Sequence, residues 1–195
     1  MLTDIDLPSL EYICLNMRSI DAMEVYNMRS HDNAVLLAWE AYHLIRARGR
    51  GRIAWAGGKP VAVVAVYEMW TGCWEVVMWG TDEFKAGAFE CMRWVRRDTL
   101  PDLIKTLGGR RLQCFSHIDH TEAHSFLLAL GASKEGPPIE GYGRDGSSYQ
   151  LFGWVLNRNA VMQDDRMAET RRNDLDVLRF KEQQLDTGTG GTGTV

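Results

Sequence analysis

Residues Arg111–Ala132 read RLQCFSHIDHTEAHSFLLALGA, and the backbone period changes within this stretch. Arg111–His117 has the alternating, β-prone character of a strand. From Thr121 to Leu130 the spacing predicts a helix: Ala123, Phe126, Leu127 and Leu130 fall on one face. Gly131 then ends it, because glycine can take the left-handed turn that leads a chain out of a helix. A strand, a short polar turn and an amphipathic helix form half of a crossover unit.

Working outward, the preceding segment supplies the other half. Phe84–Leu107 reads as a long helix interrupted or kinked at Pro101 and ended by Gly108-Gly109. Before it come three strands: Arg52–Trp55, Pro60–Met69 and Cys73–Thr81. The first pair flanks Ala56-Gly57-Gly58-Lys59, where Gly-Gly supplies the positive φ of a tight hairpin. Trp70-Thr71-Gly72 turns into the third. Val61–Val66 is apolar throughout, which places that strand in the middle of a sheet covered on both faces. Nearer the start, a strand is expected at Tyr12–Met17, a helix from Ile20 to Met28 capped by Ser19, and a helix over Asn33–Ala47. Strands at Ala132–Glu135 and Ser148–Leu156 close the domain. The expected class is α/β (α+β): a mixed, mostly antiparallel sheet with one splayed parallel pair, flanked by helices.

Composition narrows the function. The chain has 195 residues and a formal net charge of −4, so bulk charge gives no sign of nucleic-acid binding. Cys14, Cys73, Cys91 and Cys114 are widely spaced, as expected of reduced thiols in a cytoplasm. No apolar run reaches the roughly 20 residues a bilayer span needs, and Met1–Leu10 lacks the pattern of a signal peptide, so no membrane anchor is expected. Two regions are distinguished: a domain over residues 1–157, and a C-terminal tail over residues 158–195 that is charged and then Thr/Gly-rich, a docking arm or a disordered end.

The order of elements over residues 1–157 resembles the GNAT family of N-acetyltransferases. The match is most specific in Arg111–Ala132, where Ala123, Phe126, Leu127 and Gly131-Ala132 follow the family pattern and His120 stands in place of its usual Asn. The stretch Trp74–Phe84, WEVVMWGTDEF, with the Arg- and Trp-containing helix after it, looks like the degenerate GNAT-like virion proteins of short-tailed bacteriophages.

The resemblance implies an acetyl-CoA site. Trp79 and Gly80 backbone would meet the pantetheine arm, Lys85 and Gly87 the phosphates, with His120 at the start of the following helix. Glu75 is the candidate general base; Tyr142 and Tyr149 are the candidate general acids. The phosphate loop departs from the family pattern: Phe84 and Phe89 replace a basic or amide residue and a small one. Asp82 and Glu83 oppose a diphosphate by on the order of 1 kcal/mol each.

Other side chains have simpler readings. His120 and His124 are four apart, but HTEAH is not HExxH, so no metal is expected and capping or packing is the default. Arg93, Arg96 and Arg97 alternate with Glu90 and Asp98, as on a solvated ion-paired face, and form no specific nucleic-acid motif.

Two functions follow from the resemblance. One is a virion protein docked by its tail at the phage portal or tail adaptor, in many copies in a ring, assembled in the host cytoplasm and ejected with DNA. The other is an acetyl-CoA-dependent N-acetyltransferase acting on a host protein or small amine.

Overall fold

The computed structural model describes residues 1–156; the tail, and with it the expected docking arm, lies outside the described residues. The elements run β1 (Leu2–Asp4), α1 (Leu7–Leu15), α2 (Ser19–Asn27), α3 (Ala34–Arg48), β2 (Gly49–Ala56), β3 (Lys59–Trp70), β4 (Cys73–Gly80) and α4 (Lys85–Trp94). A π-helical turn, Val95–Thr99, leads into α5 (Leu100–Lys105), then β5 (Arg111–His117), α6 (Thr121–Ala129), β6 (Ser133–Lys134) and β7 (Tyr149–Val155). The strands form one sheet in the order β1-β2-β3-β4-β5-β7-β6, antiparallel except for the β4–β5 pair.

The start of the chain differs from expectation. Tyr12–Met17 is not a strand: Tyr12–Leu15 closes α1, and the first strand is Leu2–Asp4. The reason is a start signal at Asp6-Leu7-Pro8-Ser9. Asp6 accepts a hydrogen bond from the Ser9 amide at 2.9 Å, and proline fits the first turn, where its missing N–H costs nothing. Leu10, Ile13 and Cys14 then recur at helical spacing and are buried. Asn33 caps α3 in the same way, accepting from the Leu36 amide at 3.0 Å.

The meander forms as its residues dictate. Gly57 and Gly58 have φ of +56° and +77°, the pair of positive values a two-residue hairpin turn requires. Val61–Val66 is wholly buried, between α1 and α3 on one face and α4 on the other. Pro101 does not stop the helical run. It sits in the first turn of α5, and the wider π turn before it gives room for a residue that has no N–H and whose ring presses on the preceding turn.

Candidate active site

β4 and β5 pair over only three register positions, Cys73 with Arg111, Trp74 with Leu112 and Glu75 with Gln113. Beyond Glu75 the two strands diverge, and a cavity of about 450 Å³ opens between them. This is the V-shaped gap the fold class requires.

Strand parity sets what faces the gap. The Thr81 amide donates to the Val61 carbonyl at 2.9 Å, so Thr81, Trp79 and Val77 turn their backbone groups toward β3. Val76, Met78 and Gly80 turn theirs the other way, toward β5. The expectation that Trp79 backbone meets a ligand arm is therefore corrected: the residue presenting main chain to the gap is Met78. The Trp79 side chain is buried with Ile13, Leu37 and Ile53 under α1 and α3. Gly80 points correctly but is engaged. Its amide donates to Asp21 Oδ2 at 2.8 Å, and its carbonyl accepts from the Arg18 amide at 3.0 Å.

Helix α2 thus caps the wide end of the gap. Asp21 holds β4, while Glu24, one turn later, holds β5. Its Oε2 accepts from Ser116 Oγ at 2.8 Å and from the His117 amide at 2.8 Å, and it lies 2.9 Å from His120 Nδ1. His120 is 4 % exposed and sits between both carboxylates, with Asp21 Oδ1 3.6 Å from Nε2. This role is structural as well as polar. His124 Nε2–H donates to the His117 carbonyl at 3.0 Å, and burial holds the His124 pKa below the usual imidazole value. Among the described residues no three His, Cys, Asp or Glu side chains converge into a metal-holding group.

The cavity has two sides. Toward α4 and α6 it is apolar, walled by Val76, Met78, Ala88, Phe126, Leu127 and Leu130. Toward α2 it carries the chemistry: Glu75, Tyr67, Arg29 and Tyr142. Glu75 is not a solvent-facing strand residue. It stands directly across from Tyr67 in the β3–β4 register, and burial raises its pKa above the usual carboxylate range, with the Tyr67 hydroxyl and Arg29 acting in the opposite direction.

The two tyrosines part company. Tyr142 is at the rim, stacked on Phe115 with ring centroids 4.7 Å apart. Tyr149 is fully buried, and its hydroxyl donates to the Glu24 carbonyl at 2.8 Å, so it faces α2 rather than the cavity.

The Thr81–Gly87 turn tests the fit of a diphosphate. The amides of Phe84, Ala86, Gly87 and Ala88 all donate within the turn, and that of Glu83 donates to Thr81 Oγ1 at 3.2 Å. Gly87 is buried against the sheet, where an added Cβ would lie 2.8 Å from Ala54 Cβ and 2.9 Å from Val61 Cγ2. Its lack of a side chain is what packing requires there. Lys85 is exposed, 3.1 Å from Glu122 Oε1, and Glu122 also binds Arg18 at 3.0 Å. The apolar slot beside Met78 fits a pantetheine arm, whereas the turn beyond it offers no ready cradle of amides to a diphosphate.

Sequence reasoning brought Glu75, Gly80, Lys85, His120 and Tyr142 to one end of the sheet but missed Arg18, Asp21, Glu24, Arg29 and Met78. The spacing of Asp21 and Glu24 shows that they share a helical face, and nothing local shows that this face meets the gap.

No family model matches the sequence, and no curated protein is matched by sequence. Solved structures are matched by fold. A SpeG spermidine N-acetyltransferase variant from Vibrio cholerae is 14 % identical with a TM-score of 0.60, covering 82 % of this chain and 97 % of that one. A ribosomal-protein-S5-alanine acetyltransferase from Vibrio fischeri is 14 % identical with a TM-score of 0.61, covering 80 % and 93 %. RimL, a ribosomal L7/L12 alpha-N-protein acetyltransferase solved with coenzyme A, is 11 % identical with a TM-score of 0.57, covering 80 % and 93 %. The chain therefore has the GNAT acetyltransferase fold. The narrower resemblance to phage virion proteins finds no support among these structures.

Proposed function

We propose that the chain is an acyl-CoA-dependent N-acetyltransferase acting on an amine that enters from the α2 side of the gap. The observation that carries this reading is the placement of Glu75. It is a half-buried carboxylate on the gap-lining strand, at the last paired position before β4 and β5 part.

Met78 main chain and the slot formed with Val76, Ala88 and Leu127 would hold the pantetheine arm. When bound, acetyl-CoA supplies a thioester whose acyl group can pass to an amine. Glu75 accepts a proton from the incoming ammonium group, which leaves the nitrogen lone pair free. The nitrogen–carbon bond then forms as the carbon–sulfur bond breaks, and the sulfur departs with the bonding pair. Ala123, Phe126, Leu127 and Leu130 line the α6 wall and carry no proton donor, so the departing sulfur takes the second proton, which the nitrogen sheds as the amide forms. The apolar wall keeps bulk water from competing with the amine.

Calorimetric titration with acetyl-CoA, followed by a thiol-release assay over a panel of amines, tests this reading. Heat of binding, amine-dependent thiol release and a loss of at least 100-fold in kcat/KM for Glu75→Gln are expected. Absence of both heat and thiol release at millimolar acetyl-CoA would remove the proposal.

A further inference from the structure

The acceptor side of the cavity carries a second charge that proton removal does not use. Arg29 lines it together with Glu75. Its Nη1 donates to the Val25 carbonyl at 2.8 Å, at the end of α2. Among the described residues no carboxylate lies within ion-pair distance of it. The cavity's other arginine, Arg18, is by contrast bound by Asp21 and Glu122. Glu24 and Glu75 line the same cavity. Glu24 is occupied by Ser116, His117 and His120. Glu75 is close enough to feel the guanidinium but forms no ion pair with it. A guanidinium left with donors to spare in a partly dry site is matched by a planar carboxylate, which it can bind through two parallel hydrogen bonds.

Resting on the acetyltransferase reading, we propose that the acceptor is a free α-amino acid, its ammonium group at Glu75 and its carboxylate at Arg29. Met28, Val77, Phe115 and Tyr142 also line the cavity, and their apolar or aromatic surfaces suit an apolar side chain. The volume agrees: about 450 Å³ must take both the acyl-bearing arm and the acceptor, which leaves room for a small molecule. Transfer then proceeds at nitrogen alone. The ammonium group gives one proton to Glu75, the N–C bond forms, the thioester C–S bond breaks with its electron pair going to sulfur, the second nitrogen proton passes to that sulfur as the thiol leaves, and the acceptor carboxylate is unchanged.

The test separates this proposal from the reading beneath it. The full chain is titrated calorimetrically with L-phenylalanine and L-phenylalaninamide, without an acyl donor, and thiol release from acetyl-CoA is measured with the same two compounds. L-Phenylalanine is expected to bind and to react at least tenfold better than its amide. In Arg29→Met the two compounds are expected to become equal within twofold, and Arg29→Lys, which keeps the charge, is expected to restore part of the discrimination. Equal handling of acid and amide by the wild type overturns the proposal and, if thiol is released, leaves the acetyltransferase reading standing. Preference for the acid in calorimetry with no acetyl-CoA binding overturns the transferase reading and keeps Arg29 as a carboxylate site.

Discussion

Asp21 and Glu24, three residues apart on α2, grip opposite sides of the opening in the sheet: Asp21 takes the Gly80 amide of β4, and Glu24 takes Ser116 and the His117 amide of β5. Removing either carboxylate strands buried donors. Asp21→Ala should lower stability by about 2–4 kcal/mol, since Arg18 and the Gly80 N–H lose their buried acceptor. Glu24→Ala should cost a similar amount. Because both act on one wedge, the double variant should depart from additivity by about 0.5–3 kcal/mol. Urea midpoints of the four proteins check this, and strict additivity would separate the two grips.

If Glu75 is the base proposed above, it sets the acid limb of activity. Burial raises its pKa from the usual value of 4.5. The ionised form is the base, so kcat/KM should rise with pH through a midpoint above 4.5 and level off once Glu75 is deprotonated. A pH–rate profile with Glu75→Gln as control reads this directly: the limb should vanish in the variant along with most of the activity.

Gly87 separates a packing glycine from an anion-binding one. A methyl group there meets Ala54 and Val61, so Gly87→Ala should destabilise the fold by about 1–3 kcal/mol. Thermal unfolding checks it. An unchanged melting temperature with weakened coenzyme binding would instead place this residue at the phosphates.

Arg111 ties β5 to the strand beyond it through Glu135, with Nη2 to Oε2 at 2.6 Å and Nη1 to Oε1 at 3.0 Å. The arginine holds the Glu135 pKa below its usual 4.5. A depressed carboxylate stabilises the fold above the unfolded pKa, and that contribution disappears as pH falls through the folded one. Glu135→Gln should therefore cost about 0.5–1 kcal/mol near neutrality, given the pair's partial exposure, and nothing well below pH 4. Denaturation of both proteins at the two pH values provides the comparison.

The meander and the crossover were legible because their signals are local. Gly57-Gly58 dictates a hairpin, Val61–Val66 a buried strand, and Gly131 a helix end. The strand expected at Tyr12–Met17 failed because six residues upstream of Tyr12 the Asp6 cap had already committed the chain to a helix. At the site, Glu75 was reachable from its place on β4. Arg29 and Glu24 were not, because their meaning depends on which part of the sheet α2 crosses. The π turn before Pro101 was likewise hidden, since a proline signals a disturbance without saying how the helix absorbs it.

Met78 contributes amide and carbonyl to the open side of β4, and any residue but proline would contribute the same two groups. A recognition edge of that kind is blind to mutation, since swapping the side chain leaves its hydrogen-bonding alphabet intact. The same outline is shared with structures only 11–14 % identical in sequence. What such an outline keeps in common is the divergence of two strands.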